Sequence, residues 1–460
     1  HRGRHPADVS RRGQGFPVTR PGGTWQNWAR TEAVRPQFVE RPATLGAVQR
    51  SVASALRRDL RIKAVGAGHS FTGIAVAPGV LLELERLSGL VSVDEKSKRA
   101  TLLAGTRLYD VPRLLRPYGL AMQNLGDIDR QSLSGAISTG THGTGAQFGG
   151  IATQVVGARL VTGTGELLTV SETENADLLP AVALGLGALG ILVEVTLQCV
   201  PAFVLHAVEK PEALGEVLAD LDDRVAAADH FEMYWFPHTD RAMTKTNTRL
   251  PESAVRHPLT PTSRFVDDVV IGGGVHRLAC VVGRIAPPLV PSINRLSVRV
   301  WGDREFTDAS DRVFATSRGV RFREMEYALP MEHVVPALEE VQALIKRRGW
   351  RIEFPLEVRF AAADDVWLST AYQRATGYIA VHRYWRSDPT AYFADVERIM
   401  LEHGGRPHWG KMHTQDAAAL RESYPRFDDF VAARARLDPE GRFRNDYLDR
   451  VLGQDPPGRM

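Results

Sequence analysis

"AVGAGHSF", residues 64–71, follows an apolar run that reads as a strand and then ends in glycines. Glycine lets backbone come close to a bound group, and a loop of this kind often meets phosphate. Into that loop the chain sets an imidazole, His69. A ring placed there is either tolerated by the ligand or bonded to it. A second run, "SGAISTGTHGTG" over 134–145, supplies further backbone N–H groups and hydroxyls with little bulk. Such a run suits a pyrophosphate or a flat ring lying on backbone; taken alone it is equally a polar loop. Two such loops in one domain hold two ends of one extended cofactor.

The surrounding pattern is that of an α+β protein. At 460 residues the chain is long enough for two or three domains. The stretch before the first loop reads as strand, helix, strand, the helix capped by Thr44 with apolar Leu45, Val48, Val52 and Leu56 at helical spacing. A strand "GVLLELERL", a hairpin "LVSVDEKSKRATLLAG", a helix near 107–117, a strand "LAMQNLG" and a hairpin "VVGARLVTGTGELLTV" follow. The apolar stretch 181–200 contains Glu194 and changes period midway, which predicts a buried helix running into a strand and no membrane span. The pattern changes near Pro201, where a second domain is expected: an antiparallel sheet with helices on one face. Residues 250–280 carry little pattern and are expected to be a mobile loop. Residues 1–24, rich in Arg, Gly and Pro, are expected to be disordered.

Several function classes lose support. A net charge of +3 does not argue for nucleic acid. Two cysteines, Cys199 and Cys280, make neither a disulfide framework nor a zinc cluster. With no secretory signal visible, reduced thiols and a cytoplasmic location are the default. "GLGALG", 185–190, fits the GxGxxG template, but it leads from a helix into a strand, the reverse of the dinucleotide fingerprint. Close helix–sheet packing explains it better than a nicotinamide site.

Two later stretches carry chemistry. In "PLEVRF", Glu357 and Arg359 lie two apart on a strand, hence on one face. Together they could bind and deprotonate a polyol, or form a surface ion pair. In "RPHWGKMHT", His408, Trp409, Lys411 and His413 crowd a loop. The histidine spacing and the lack of a nearby carboxylate argue against a metal, and none is expected; scattered surface histidines are the alternative.

In this order, "VGAGHSF", "SGAISTGTHGTG", "PLEVRF" and "RPHWGK" resemble the aldonolactone oxidoreductases of the vanillyl-alcohol-oxidase flavoprotein family, from about Trp25 to Gly453. The resemblance implies an FAD-binding domain of two small α+β subdomains over 25–200, a substrate or cap domain over 201–400, and a C-terminal segment, 401–460, returning to the flavin. It implies that His69 is bonded through its ring to the flavin C8-methyl, raising the flavin potential. Val65, Gly66, Ala67, Gly68 and Ser70, with Ser134, Gly135, Thr139, Gly140, His142, Gly143 and Thr144, would cradle the pyrophosphate. Ile191 would make a backbone contact to the cofactor. Glu357, Arg359 and Lys411 match substrate-side residues, with His382 a fourth. Where alditol-oxidising members have a small hydroxylated residue, this chain has Tyr384. Gly126 would lie at the flavin's reactive edge and leave space for O2. The implied reaction is oxidation of a sugar lactone beside its carbonyl, giving H2O2. A polyol, a pathway-specific sugar or natural-product substrate, and a non-oxygen acceptor are the alternatives.

Overall fold

The computed structural model describes residues 20–21, 23–266, 274–316 and 320–454. The tail expected over 1–24 falls almost wholly outside them. Its end does not: Arg20–Pro21 pairs antiparallel with Phe38–Glu40 as a strand.

Three sheets organise the molecule. In the first, Phe38–Glu40, Val80–Glu83 and Ile62–Val65 run parallel, and helix Leu45–Arg57 makes one crossover. Thr44 caps that helix, accepting from the Ala47 amide at 3.2 Å. The glycine loop 66–70 therefore leaves the C-terminal end of a parallel strand, the usual position for ligand-binding loops in parallel sheets. The second sheet is antiparallel, in the order Leu167–Ser171, Val155–Val161, Ile191–Gln198, Arg99–Leu103, Leu90–Asp94. Both sequence hairpins lie in it.

The third sheet has eight antiparallel strands: Arg304–Ala309, Phe203–Ala213, Arg241–Pro251, His230–Trp235, Leu356–Ala361, Thr376–Tyr384, Phe322–Pro330 and Arg406–Pro407. Its two faces differ sharply, because side chains alternate across a strand. Met325, Tyr327, Val358, Phe360, Ile379 and Val381 form a core with the helices Val334–Arg348 and Thr390–Glu402. The alternate residues include Glu324, Glu326, Glu357, Arg359 and His382, all buried.

Some expectations need correction. The run 134–145 is not all loop: Leu133–Thr139 is a helix, capped by Ser132 and closed by left-handed Gly140. The strand expected in "LAMQNLG" shrinks to Leu120–Ala121. The helix near 107–117 is only Val111–Leu115 with a short 3-10 turn after it. Within 250–280 the described parts hold helices Pro261–Val266 and Gly274–Ile285; residues 267–273 lie outside the described residues. Helix Leu179–Val182 is short, and the 185–190 glycines form a turn into strand Ile191–Gln198, tied down where the buried Lys63 Nζ donates to the Gly187 carbonyl at 3.0 Å. No helix among the described residues is long and apolar enough to cross a membrane.

Candidate active site

The glycine loop is held from both ends of the chain. The Phe71 amide donates to the Gly410 carbonyl at 2.7 Å, and Asn27 Nδ2 donates to the Ser70 carbonyl at 2.9 Å. Gly68 has φ +69°, a conformation other residues rarely adopt. The amides of Ala67, Gly68, His69 and Ser70 find no acceptor among the described residues. Successive amides of this kind make a cradle for an anion. Val65 ends the parallel strand just before them, and Gly66 lies against the cap of the second run: a β-carbon there would fall 2.2 Å from Ser132 Oγ. The Gly135 amide is taken by Ser132 Oγ, and Thr139 Oγ1 bonds back to the Gly135 carbonyl. Ser134 is buried one turn away on the same short helix. The fit to a pyrophosphate-bearing cofactor therefore rests chiefly on 67–70.

His69 stacks on Trp28, with 5.7 Å between ring centroids. Burial, then Arg107 and Arg130, push its pKa down to about 4, so the ring is neutral at pH 7.

Other members of the second run are fixed elsewhere. Thr144 Oγ1 donates to the Phe231 carbonyl and accepts from the Phe360 amide, which binds the run to the eight-stranded sheet. His142 lies 3.6 Å from the Tyr378 ring, with Nδ1 2.8 Å from the Gly143 carbonyl and Nε2 2.7 Å from Glu326. Gly143 and Gly126 permit the two passing segments to touch. A β-carbon at Gly143 would lie 2.2 Å from the Leu125 carbonyl, and one at Gly126 would lie 3.1 Å from the His142 carbonyl. Ile191 is buried and pairs with Val161 at the start of its strand.

Opposite these loops stands the polar face of the eight-stranded sheet. Register aligns Glu326, Ala380, Glu357 and Tyr234 in one row across four strands. Glu357 ion-pairs with Arg359 Nη2 and accepts from the Tyr234 hydroxyl at 3.3 Å. These are not surface charges; Glu357 is 4% exposed and Arg359 6%. Arg359 also meets Glu232 at 3.0 Å and Asp127 at 3.3 Å. Burial opposes its charge, but Asp127, Glu357 and Glu232 outweigh burial and hold its pKa above the ordinary guanidinium value.

Lys411 comes to the same face from the C-terminal segment and ion-pairs with Glu324. Burial works against this ammonium too; Glu324, Glu326 and Glu357 overcome it and raise the pKa. His382 Nε2 lies 3.3 Å from the same Glu324 carboxylate. The structure thus gathers Glu357, Arg359, Lys411 and His382 on one face; Tyr384, two residues beyond His382 on the same strand, packs at the end of that face with Phe322 and Phe354.

Five participants were not singled out from the sequence: Asp127, Glu232, Tyr234, Glu324 and Glu326. The available signal was "REMEYALP", where acids alternate with apolar residues on a strand.

Among the described residues one trio, His142, Glu326 and His408, offers ligand atoms within 4.8 Å of one another. Its chemistry favours a hydrogen-bonded cluster. His408 Nδ1 accepts from the Gly410 amide at 3.0 Å, which leaves the proton of the neutral ring on Nε2. Burial lowers its pKa to about 3. Nor are His408 and His413 scattered on the surface: both are buried, and His413 pairs with the Tyr447 hydroxyl at 2.9 Å.

Comparison with known proteins follows the same division. Residues 36–171 match the model of an FAD binding domain, and residues 195–451 match that of D-arabinono-1,4-lactone oxidase. The chain is 43% identical to an L-gulono-1,4-lactone dehydrogenase of Mycobacterium tuberculosis, covering 93% of this chain and 99% of the relative. It is 36% identical to an L-gulonolactone oxidase of Scyliorhinus torazame over 94% of this chain and 98% of that one. A crystal structure of cholesterol oxidase from B. sterolicum shares the fold, with a TM-score of 0.79 over 97% of this chain and 99% of that one, at 17% identity.

Proposed function

This chain belongs to the D-arabinono-1,4-lactone oxidase family of FAD-dependent oxidoreductases, and from that premise we propose that it oxidises a sugar-acid 1,4-lactone, L-gulono-1,4-lactone or D-arabinono-1,4-lactone, at the alcohol carbon beside the carbonyl. One observation carries the proposal: a buried Glu357–Arg359 pair with Lys411 in electrostatic reach, Lys411 following the Gly410 carbonyl that takes the Phe71 amide at the end of the loop of unengaged amides.

FAD, when bound, supplies the two-electron acceptor for the alcohol. The amides around Gly66 to Ser70 would hold its pyrophosphate, with the 134–144 run and the Ile191 backbone completing the site. Glu357 takes the proton of the substrate hydroxyl. Arg359 binds substrate oxygens and holds Glu357 in place and ionised. Lys411 supplies fixed positive charge against negative charge that develops on the cofactor. His382 lies close enough to help orient the substrate. The neutral ring of His69, with no hydrogen bond to either nitrogen among the described residues, would carry the cofactor covalently. We assign O2 as the acceptor, with Gly126 keeping the approach open. We also place the enzyme in the cytoplasm, because both buried cysteines are free thiols. The division 25–200, 201–400 and 401–460 is the domain plan we attach to this reading.

Glu357→Gln tests the base. Flavin content should stay the same while reduction by lactone collapses; normal reduction would remove Glu357 from the role. Acid precipitation tests His69: flavin fluorescence should remain in the washed pellet and leave it in His69→Ala. Xylitol and sorbitol, assayed beside the two lactones, should be poor substrates. Gly126→Ala pushes a β-carbon toward the 141–142 loop and should slow H2O2 formation more than dye reduction. An equal effect on both would detach Gly126 from oxygen access.

A further inference from the structure

Away from the polar face, a surface cavity of about 420 Å³ is lined by Arg30, Arg284, Arg323 and Arg386 around Trp385, with Asp388 its one carboxylate. Arg321 stands beside it. Trp385 is a platform for guanidinium groups: Arg386 lies 4.7 Å, Arg30 5.3 Å and Arg321 5.5 Å from its ring centre. The indole is thus already engaged by cations, and a ligand is not recognised there by stacking.

Five guanidinium groups gather here against one carboxylate, and that carboxylate is occupied. Asp388 accepts from the Thr390 amide at 2.9 Å and its hydroxyl at 2.6 Å. Among the described residues none of the five arginines is ion-paired. The Nε atoms of Arg321 and Arg323 are buried without a hydrogen-bond partner. Burial and the nearby Arg30 both lower the pKa of Arg321, as expected for like charges held together.

From this excess of unpaired charge we propose that the cavity binds a compact polyanion, a small molecule with two or more adjacent phosphate or carboxylate groups. Guanidinium forks match both groups bidentately. The site is open to water, so a single charge would be screened and several are needed. Its occupant would sit close to the His69 loop: Phe322, next to Arg321, meets Trp28 edge-on at 5.3 Å, and Trp28 stacks on His69. The inference does not depend on the proposed reaction.

The test is calorimetric titration of the flavin-loaded, full-length protein with inorganic pyrophosphate and, separately, with citrate. Saturable binding near one equivalent is expected, weakening as salt rises from about 20 mM to about 0.5 M. Tighter pyrophosphate assigns phosphate, and tighter citrate assigns carboxylate. In R323Q/R386Q the affinity should fall about tenfold or more, since two forks are lost. Asp388→Asn keeps the acceptor oxygen for Thr390 and removes the opposing charge, so it should tighten binding several-fold. That gain cannot come from misfolding. Absence of saturable binding by both probes, equal affinity in R323Q/R386Q, or no gain in Asp388→Asn would overturn the proposal.

Discussion

Two strands of the eight-stranded sheet each carry a charged pair spaced by two, and the pairs are built differently. Glu357 and Arg359 have opposite signs and pair along their own strand, with Asp127 and Glu232 adding to Arg359 from elsewhere. Glu324 and Glu326 carry the same sign, and each is met from a distant part of the chain: Glu324 by the Lys411 ammonium and Glu326 by the His142 ring. A pair of opposite sign already carries a counter-charge on its own strand. A like-charged pair acts as a clasp, because burying either carboxylate without its partner is costly. One strand thus presents chemistry, and its neighbour but one fastens the cofactor loops and the C-terminal segment over it.

The contrast can be broken by changing one member of each pair. Glu357→Gln should reduce turnover by about 10²–10⁴-fold, with the denaturation midpoint little changed. Glu326→Gln should act the other way round. It removes the carboxylate partner of His142 and should cost about 1–3 kcal/mol, read as a lower midpoint. If Glu326→Gln left stability intact while abolishing turnover, the clasp reading would fail.

Acid sharpens the same point. Burial opposes the Glu326 charge, but His142 and Lys411 outweigh it and hold the pKa near 2, below the ordinary value of 4.5. Its contribution to stability is therefore complete above about pH 4.5 and is lost as pH falls toward 2. Glu326→Gln should flatten stability across that window. The smallest expected change lies outside both strands: Thr44→Ala should cost about 1 kcal/mol by uncapping helix Leu45–Arg57, with no effect on activity. A larger loss would mean that the first parallel sheet depends on that helix more than its cap suggests.

Legibility in the sequence followed the range of the interaction. Thr44, the two hairpins and the shared face of Glu357 and Arg359 are local matters of capping and period, and they stand as expected. The helix Leu133–Thr139 was hidden because its one glycine, two serines and one threonine are poor helix formers. Its boundaries were nevertheless written in, with Ser132 accepting from the Gly135 amide and Gly140 turning at φ +79°. Glu324 and Glu326 were not legible because what makes them bearable in a buried strand lies in other segments. The same holds for His408 and His413, whose neighbours His142 and Tyr447 come close only once the C-terminal segment is folded back.

That return has a consequence in time. Thr72 Oγ1 bonds to the Trp409 carbonyl across 337 residues of chain. Asn445 Nδ2 lies 3.0 Å from each of the Gly73, Ile74 and Val76 carbonyls. At translation rates of about 5–20 residues per second, the glycine loop leaves the ribosome roughly 20–70 s before the segment that clamps it. The loop is therefore made early and closed late. A cofactor has that interval to enter from solvent, and a nascent chain stalled anywhere before residue 409 holds its binding loop unclamped.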